Sequence, residues 1–125
     1  MTDRRRLPVW TASRRRLQSA MVTVLALLWG RLWGGRIRFE PWVNLIVCEH
    51  MRGGFARGGT CVGGVYLTGG AATRRVLQHE SVHAEQWARY GLGFMVRYLL
   101  EERRHPGAAN RFEIEAGLED GNYRV

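Results

Sequence analysis

The sequence predicts a single α+β domain, and three observations carry that expectation. Segments with apolar residues at helical spacing lie toward both ends, near 14–33, 71–90, 92–104 and 111–116. Alternating or β-branched segments lie between them, at 36–40, 42–48 and 62–68. Gly or Pro punctuates most of the boundaries: Gly34-Gly35, Pro41, Gly91, Pro106-Gly107 and Gly117.

Taken in order, residues 1–13 are polar and basic with one proline at position 8, and read as a flexible arm; the domain proper should span 14–125. Ser13 is placed to cap a helix starting at Arg14. That helix carries an apolar run from Ala20 to Trp29, which Arg31 interrupts after about a dozen residues, short of the ~20 that a membrane span needs. The basic residues ahead of it resemble a signal peptide, yet no small-x-small cleavage site follows. A buried or interface-lying helix, with Trp29 and Trp33 at a boundary, is the expectation.

Residues 36–40 alternate as a half-buried strand does, and 42–48 read as a second, more central strand. Four Gly pairs follow between 52 and 70. They suit strand ends, where backbone turns or approaches closely, better than an RGG-type RNA-binding segment. Residues 62–68 read as one strand directly ahead of a helix over 71–90. A further helix over 92–104 carries Phe94, Met95, Tyr98, Leu99 and Leu100 as a core stripe, with Arg97 and Glu101 paired at its surface. Asn110 starts a last helix that Gly117 ends, and 118–125 read as a tail.

Composition narrows the function. The 46% hydrophobic content suits a globular chain, and 125 residues suit one modest core. All nineteen basic residues are Arg, which points to a GC-rich bacterial coding sequence, and the formal charge is +8. Six Arg fall within the first sixteen residues, so the arm is a candidate contact for an anionic membrane surface, with nucleic acid the weaker alternative. Cys48 and Cys61 are too few for a disulfide scaffold or for the four thiolates of an iron–sulfur cluster. Cys48-x-His50 with Cys61 lacks the paired C-x-x-C of a structural zinc site. No Walker or dinucleotide glycine pattern occurs. The expected setting is reducing and cytoplasmic, peripheral to the inner face of a membrane.

The most informative stretch is His79-Glu80-Ser81-Val82-His83, an H-E-x-x-H pattern. Residues four apart share one helix face, so two imidazoles can address one ion while Glu80 lies beside it as a base that is not a ligand. The bland alternative is two histidines on a polar helix surface. A third ligand would come from Glu85, Glu101, Glu102, His105, Glu113, Glu115 or Glu119.

Residues 76–83 resemble the metal-binding helix of zincin metallopeptidases, and Asn110-Arg111-Phe112-Glu113-Ile114-Glu115-Ala116 resembles the E-x-x-A segment of the glutamate-zincin branch. With Gln86, the combined H-E-x-x-H-x-x-Q and N-x-F-E-x-E-A pattern is similar to that of short bacterial zincin-like proteins. The resemblance covers about residues 60–117. It implies a small zincin-like domain with a basic N-terminal helix, a small sheet, the H-E-x-x-H helix and closing helices. It implies Zn2+ held by His79, His83 and Glu113, Glu80 as general base, and Glu115 behind the ligands. It also implies hydrolysis of a peptide or protein substrate that pairs with the strand at 62–68. Rival expectations are a zincin-like protein that binds metal without catalysis, and a basic protein of nucleic-acid or membrane surfaces. Glu85 departs from the resembled pattern, as does Gly117, which stands where an Asp would follow. Tyr66, Tyr90, Tyr98 and His105 are the candidates to stabilise an oxyanion.

Overall fold

A computed structural model of the chain describes residues 8–56 and 58–117. The first seven residues of the basic arm, Arg57 and the expected tail at 118–125 lie outside the described residues.

Two helices come first, α1 (Val9–Ala12) and α2 (Leu17–Leu32). Strands β1 (Arg36–Glu40), β2 (Leu45–Glu49), β3 (Gly59–Val62) and β4 (Val65–Thr68) follow. Then come α3 (Arg74–Tyr90), α4 (Gly93–Arg104), a 3-10 turn at Gly107–Ala109 and α5 (Arg111–Ala116). The strands form one mixed sheet in the order β1-β2-β4-β3, antiparallel except for the β2–β4 pair. The α+β expectation holds.

The sheet is sandwiched. Ile46 and Cys48 of β2, with Val65 and Leu67 of β4, face α2. Leu45, Val47 and Tyr66 face α3 through Leu77 and Ala84. All five residues of β2 are therefore buried, as a strand covered on both faces requires. Each fully buried Leu, Ile or Val there contributes ~1.5–3 kcal/mol of apolar burial. A third cluster, Val22, Trp87, Phe94 and Phe112, joins α2, α3, α4 and α5.

Helix α2 meets the sheet through small residues. Ser19, Thr23, Ala26 and Gly30 are buried there, and Val22 is buried beside them in the third cluster. A Cβ on Gly30 would lie 2.6 Å from Cys48 Sγ, so the helix sits closer than any side chain there would permit. Thr23 Oγ1 accepts from Gly64 N and from Ser13 Oγ and donates to the Ser19 carbonyl, fastening the β3–β4 turn to α2.

Several expectations need correction. Residues 62–68 are two strands: Gly63, at φ +59°, and Gly64 turn the chain between β3 and β4. Ser13 does not cap α2. That helix starts at Leu17, after Arg14 and Arg15 adopt left-handed backbone at φ +55° and +57°. The described part of the arm is not loose either, since α1 forms and Ala12 and Ser13 are fully buried. Arg14 turns inward: its guanidinium donates to the carbonyls of Ala12, Val43, Asn44 and Ser81 and pairs with Glu85. In α4 only Phe94 is core; Met95, Leu99 and Leu100 are exposed, because α4 lies over α3 and α5 by one narrow edge. Arg97 stacks over Tyr90 and Glu101 accepts from Arg111 N, in place of the expected pair between them. Cys48 and Cys61 are free and point to opposite faces of the sheet, so neither a disulfide nor a shared metal site joins them. Three of the four Gly pairs fall at strand ends: Gly58-Gly59 opens β3, Gly63-Gly64 joins β3 to β4 and Gly69-Gly70 follows β4, whereas Gly53-Gly54 lies in the loop between β2 and β3, against Trp33.

Candidate metal centre

Helix α3 carries the H-E-x-x-H pattern on a well-anchored scaffold. Thr73 Oγ1 accepts from Val76 N and caps its start, and Gly91, at φ +62°, ends it. Trp87 Nε1 donates to the Cys61 carbonyl at 2.9 Å, fixing α3 against β3. His79 and His83 lie one turn apart on the face opposed by α5, their rings 4.8 Å apart.

Helix α5 is only six residues and would not form alone. Asn110 Oδ1 caps it through Phe112 N. Glu102 holds the turn before it, accepting from Gly107 N and Asn110 Nδ2. Phe112 is buried between Phe94, Tyr90 and Tyr98. Together these aim Glu113 at α3.

The result is a triangle. Glu113 Oε1 lies 2.8 Å from His79 Nε2 and 2.9 Å from His83 Nε2, and the two nitrogens are 3.1 Å apart. The residues are 2%, 6% and 4% exposed for His79, His83 and Glu113. Two histidines on a polar surface are thereby ruled out.

The outward hydrogen bonds fix the chemistry of the triangle. His79 Nδ1 faces the Gly117 carbonyl at 2.7 Å, which can only accept, so Nδ1 carries the hydrogen. Gln86 Nε2 donates to the Phe112 carbonyl at 3.1 Å and to Glu115 Oε1 at 3.0 Å. Its Oε1 therefore faces His83 Nδ1, at 2.8 Å, as an acceptor, and that nitrogen too carries the hydrogen. In neutral imidazoles both Nε2 atoms are then lone pairs. They converge on a carboxylate oxygen that also presents only lone pairs. Such a group in a water-poor site needs a positive charge at its centre, from a proton or a cation.

The donor set fits a divalent ion. Donor atoms placed tetrahedrally about zinc at ~2.0–2.1 Å are ~3.3 Å apart, so the observed edges of 2.8, 2.9 and 3.1 Å would open slightly to admit the ion. Among the described residues this is the one group of three or more His, Cys, Asp or Glu side chains with its donor atoms so close together. If a proton rather than a cation fills the centre, burial works against ionisation of Glu113, but hydrogen bonds from the His79 and His83 imidazoles and from Tyr98 outweigh it and hold its carboxyl well below the usual range. In that proton-filled state burial likewise opposes charge on His83, and Glu113 with Glu80 reverses that, raising it above its ordinary value.

Glu80 is outside the triangle. Burial pushes its carboxyl up to about 7, with His83 and His79 opposing the rise and Glu113 adding to it. Across from it, burial and the Glu80 charge push the Tyr66 phenol up to about 12. Tyr98 donates a short hydrogen bond to Glu113 Oε2, so it supports the candidate ligand carboxylate.

The other sequence candidates are employed elsewhere. Glu85 is exposed and pairs with Arg14. Glu101 and Glu102 hold the start of α5, and His105 is exposed. Glu119 lies outside the described residues. Glu115 sits behind the triangle, held by Gln86. Two groups of the site carried no assigned role in the sequence: Gln86, recognisable only as the residue three after His83, and the Gly117 carbonyl, which no side-chain pattern reveals. A scan of protein-family models, a search of curated proteins and a search of solved structures each give no match to this chain.

Proposed function

We propose that the chain is a zinc-dependent metallopeptidase-like protein that hydrolyses a peptide bond with activated water. The observation that supports this most is the convergence of three lone-pair-bearing atoms whose outward sides are fixed by hydrogen bonds. His79, His83 and Glu113 hold the ion. Bound there, zinc would lower the pKa of a coordinated water toward ~7 and polarise a substrate carbonyl. Glu80, beside the ligands and not among them, takes the proton of the attacking water and passes it to the leaving amine.

The substrate-pairing role implied for residues 62–68 has to move. Both edges of β4 are taken, by β2 and β3, so an extended peptide has only β3 of that segment to add to. Strand β3 lies at the edge of the sheet and contacts α3 through Cys61, whose thiol donates to the Glu80 carbonyl.

A second reading is a zincin-like protein in which metal only staples α3 to α5. The deep burial of all three ligands favours it, since a catalytic ion keeps an open position. Glu80→Gln separates the two. The peptidase reading expects unchanged zinc content and thermal stability with turnover down ~100-fold or more on a broad peptide library. Zinc-dependent turnover indifferent to this change would remove Glu80 as base, and no turnover in the wild-type protein would favour the staple.

A further inference from the structure

Helix α2 wears its apolar faces in an inverted arrangement. Its buried residues are Ser19, Thr23, Ala26 and Gly30 toward the sheet and Val22 toward the cluster with Trp87, Phe94 and Phe112. Its outward side is Leu17, Met21, Leu25, Leu28, Trp29 and Leu32, at positions i, i+4, i+8, i+11, i+12 and i+15, with Leu17, Leu25, Leu28 and Leu32 each more than 60% exposed. A scatter of single exposed hydrophobics is ordinary; an unbroken stripe along a sixteen-residue helix is not. A second stripe of exposed residues comprises Val96 and Leu99 of α4 with Leu92 just ahead of it. The two helices adjoin at their first turns, where Leu92 N donates to Gln18 Oε1 at 2.9 Å.

Among the described residues, the charges around this surface share one sign. Helix α2 contains no Asp or Glu, and Arg15, Arg16 and Arg31 at its two ends are exposed. Arg97, Arg103 and Arg104 of α4 are exposed as well, while Glu101 and Glu102 are turned to the start of α5. Stripe against stripe in a second copy would bring like charges together. An anionic lipid surface complements both the apolar stripe and the arginines around it.

We infer that α2 and the start of α4 form a monotopic membrane-binding face, lying in the headgroup plane of an anionic bilayer. Spanning is not the geometry. No described helix is long and apolar enough to cross a membrane, and the other side of α2 is committed to the sheet. In-plane burial of the stripe by ~5–10 Å would cover the leucines and place Trp29 at the interface, with Arg15, Arg16 and Arg31 at phosphate level. The inference rests on nothing in the metal centre.

The test is sedimentation of the full chain with vesicles of phosphatidylcholine and phosphatidylglycerol, alongside phosphatidylcholine alone. Binding is expected with the anionic vesicles and at least ~10-fold weaker without them. The double change Leu25→Glu/Leu28→Glu, at exposed positions, is expected to weaken partitioning by ~100-fold or more, whereas Arg4→Gln/Arg5→Gln/Arg6→Gln in the arm should cost less. A fluorophore on Leu28→Cys is expected to shift to shorter wavelength on anionic vesicles, a readout that does not depend on a destabilised variant. Vesicle binding unaffected by the Leu25/Leu28 change, or an unshifted Leu28 probe, would overturn the inference. So would a concentration-dependent dimer that Leu25→Glu/Leu28→Glu dissolves in the absence of vesicle binding, which would assign the face to a second copy.

Discussion

Gln86 is the residue on which the electronic state of the centre depends, and Gln86→Leu tests that dependence. The side chain is fully buried, and leucine has nearly its volume. The change leaves the His83 Nδ1–H without its acceptor, and a buried orphaned donor costs ~1–3 kcal/mol. The Phe112 carbonyl loses its Gln86 Nε2–H donor at smaller cost, and Glu115, which is exposed, can turn to water. Leucine's extra apolar burial offsets part of this, leaving a net loss of ~2 kcal/mol, or ~5–8 °C in Tm for a chain of this size. The His83 ring also loses the acceptor that holds the hydrogen of the neutral ring on Nδ1 and leaves the Nε2 lone pair for an ion. Loss of such a partner typically lowers metal affinity ~10–100-fold. Gln86→Glu is the informative companion. Its carboxylate still accepts from Nδ1–H, so affinity should stay near wild type, while stability falls because an acceptor now faces the Phe112 carbonyl and Glu115. Zinc competition against a chromogenic chelator measures the first quantity, and thermal unfolding of the metal-free protein the second. A Gln86→Leu protein that holds zinc within about twofold of wild type would refute the tautomer argument.

Other consequences are as direct. Arg14→Met removes a guanidinium that joins α1, the loop at residues 43 and 44 and α3, and is expected to cost ~2–4 kcal/mol in urea unfolding with little effect on vesicle binding; the reverse result would return Arg14 to the surface. Glu49 is held below the usual carboxylate range by its hydrogen bond from Arg38, against burial, and by Ala72 N–H. A depressed folded-state pKa gives stability that is full above the unfolded-state value of ~4.3 and is lost as pH falls through the folded-state value. The stability difference between wild type and Glu49→Gln, ~1–2 kcal/mol at pH 7, should therefore shrink below pH ~4, and a difference that grew with acidification would contradict the assignment.

What the sequence revealed and what it hid follow from the range of the interactions. Spacing of four brought His79 and His83 to one face, and cap and break residues at Asn110 and Gly117 placed Glu113 on its own short helix. Those are local rules. The run at 62–68 concealed a hairpin because Val62 and Val65 flank a Gly pair without interrupting the β-rich composition. The run from Ala20 to Trp29 announced a helix but not which side it buries. That choice was made by Cys48, distant in the chain, whose Sγ leaves room only for glycine at position 30. Arg14 read as part of a charge cluster, yet its partners lie up to 71 residues away, beyond any local pattern. Met95, Leu99 and Leu100 of α4 have helical periodicity and, among the described residues, no layer to cover them.

The central claim is that His79, His83 and Glu113 together hold one divalent ion, and metal stoichiometry tests it most directly. Purified protein stripped with chelator and returned to zinc should bind one equivalent by elemental analysis. X-ray absorption should report two imidazole nitrogens and carboxylate oxygen at ~2.0–2.2 Å. His79→Ala and Glu113→Ala should lose the tightly held ion, whereas Glu115→Ala should retain it. Wild-type protein that takes up no stoichiometric zinc, or Glu113→Ala protein that keeps it as firmly as Glu115→Ala, would contradict the account.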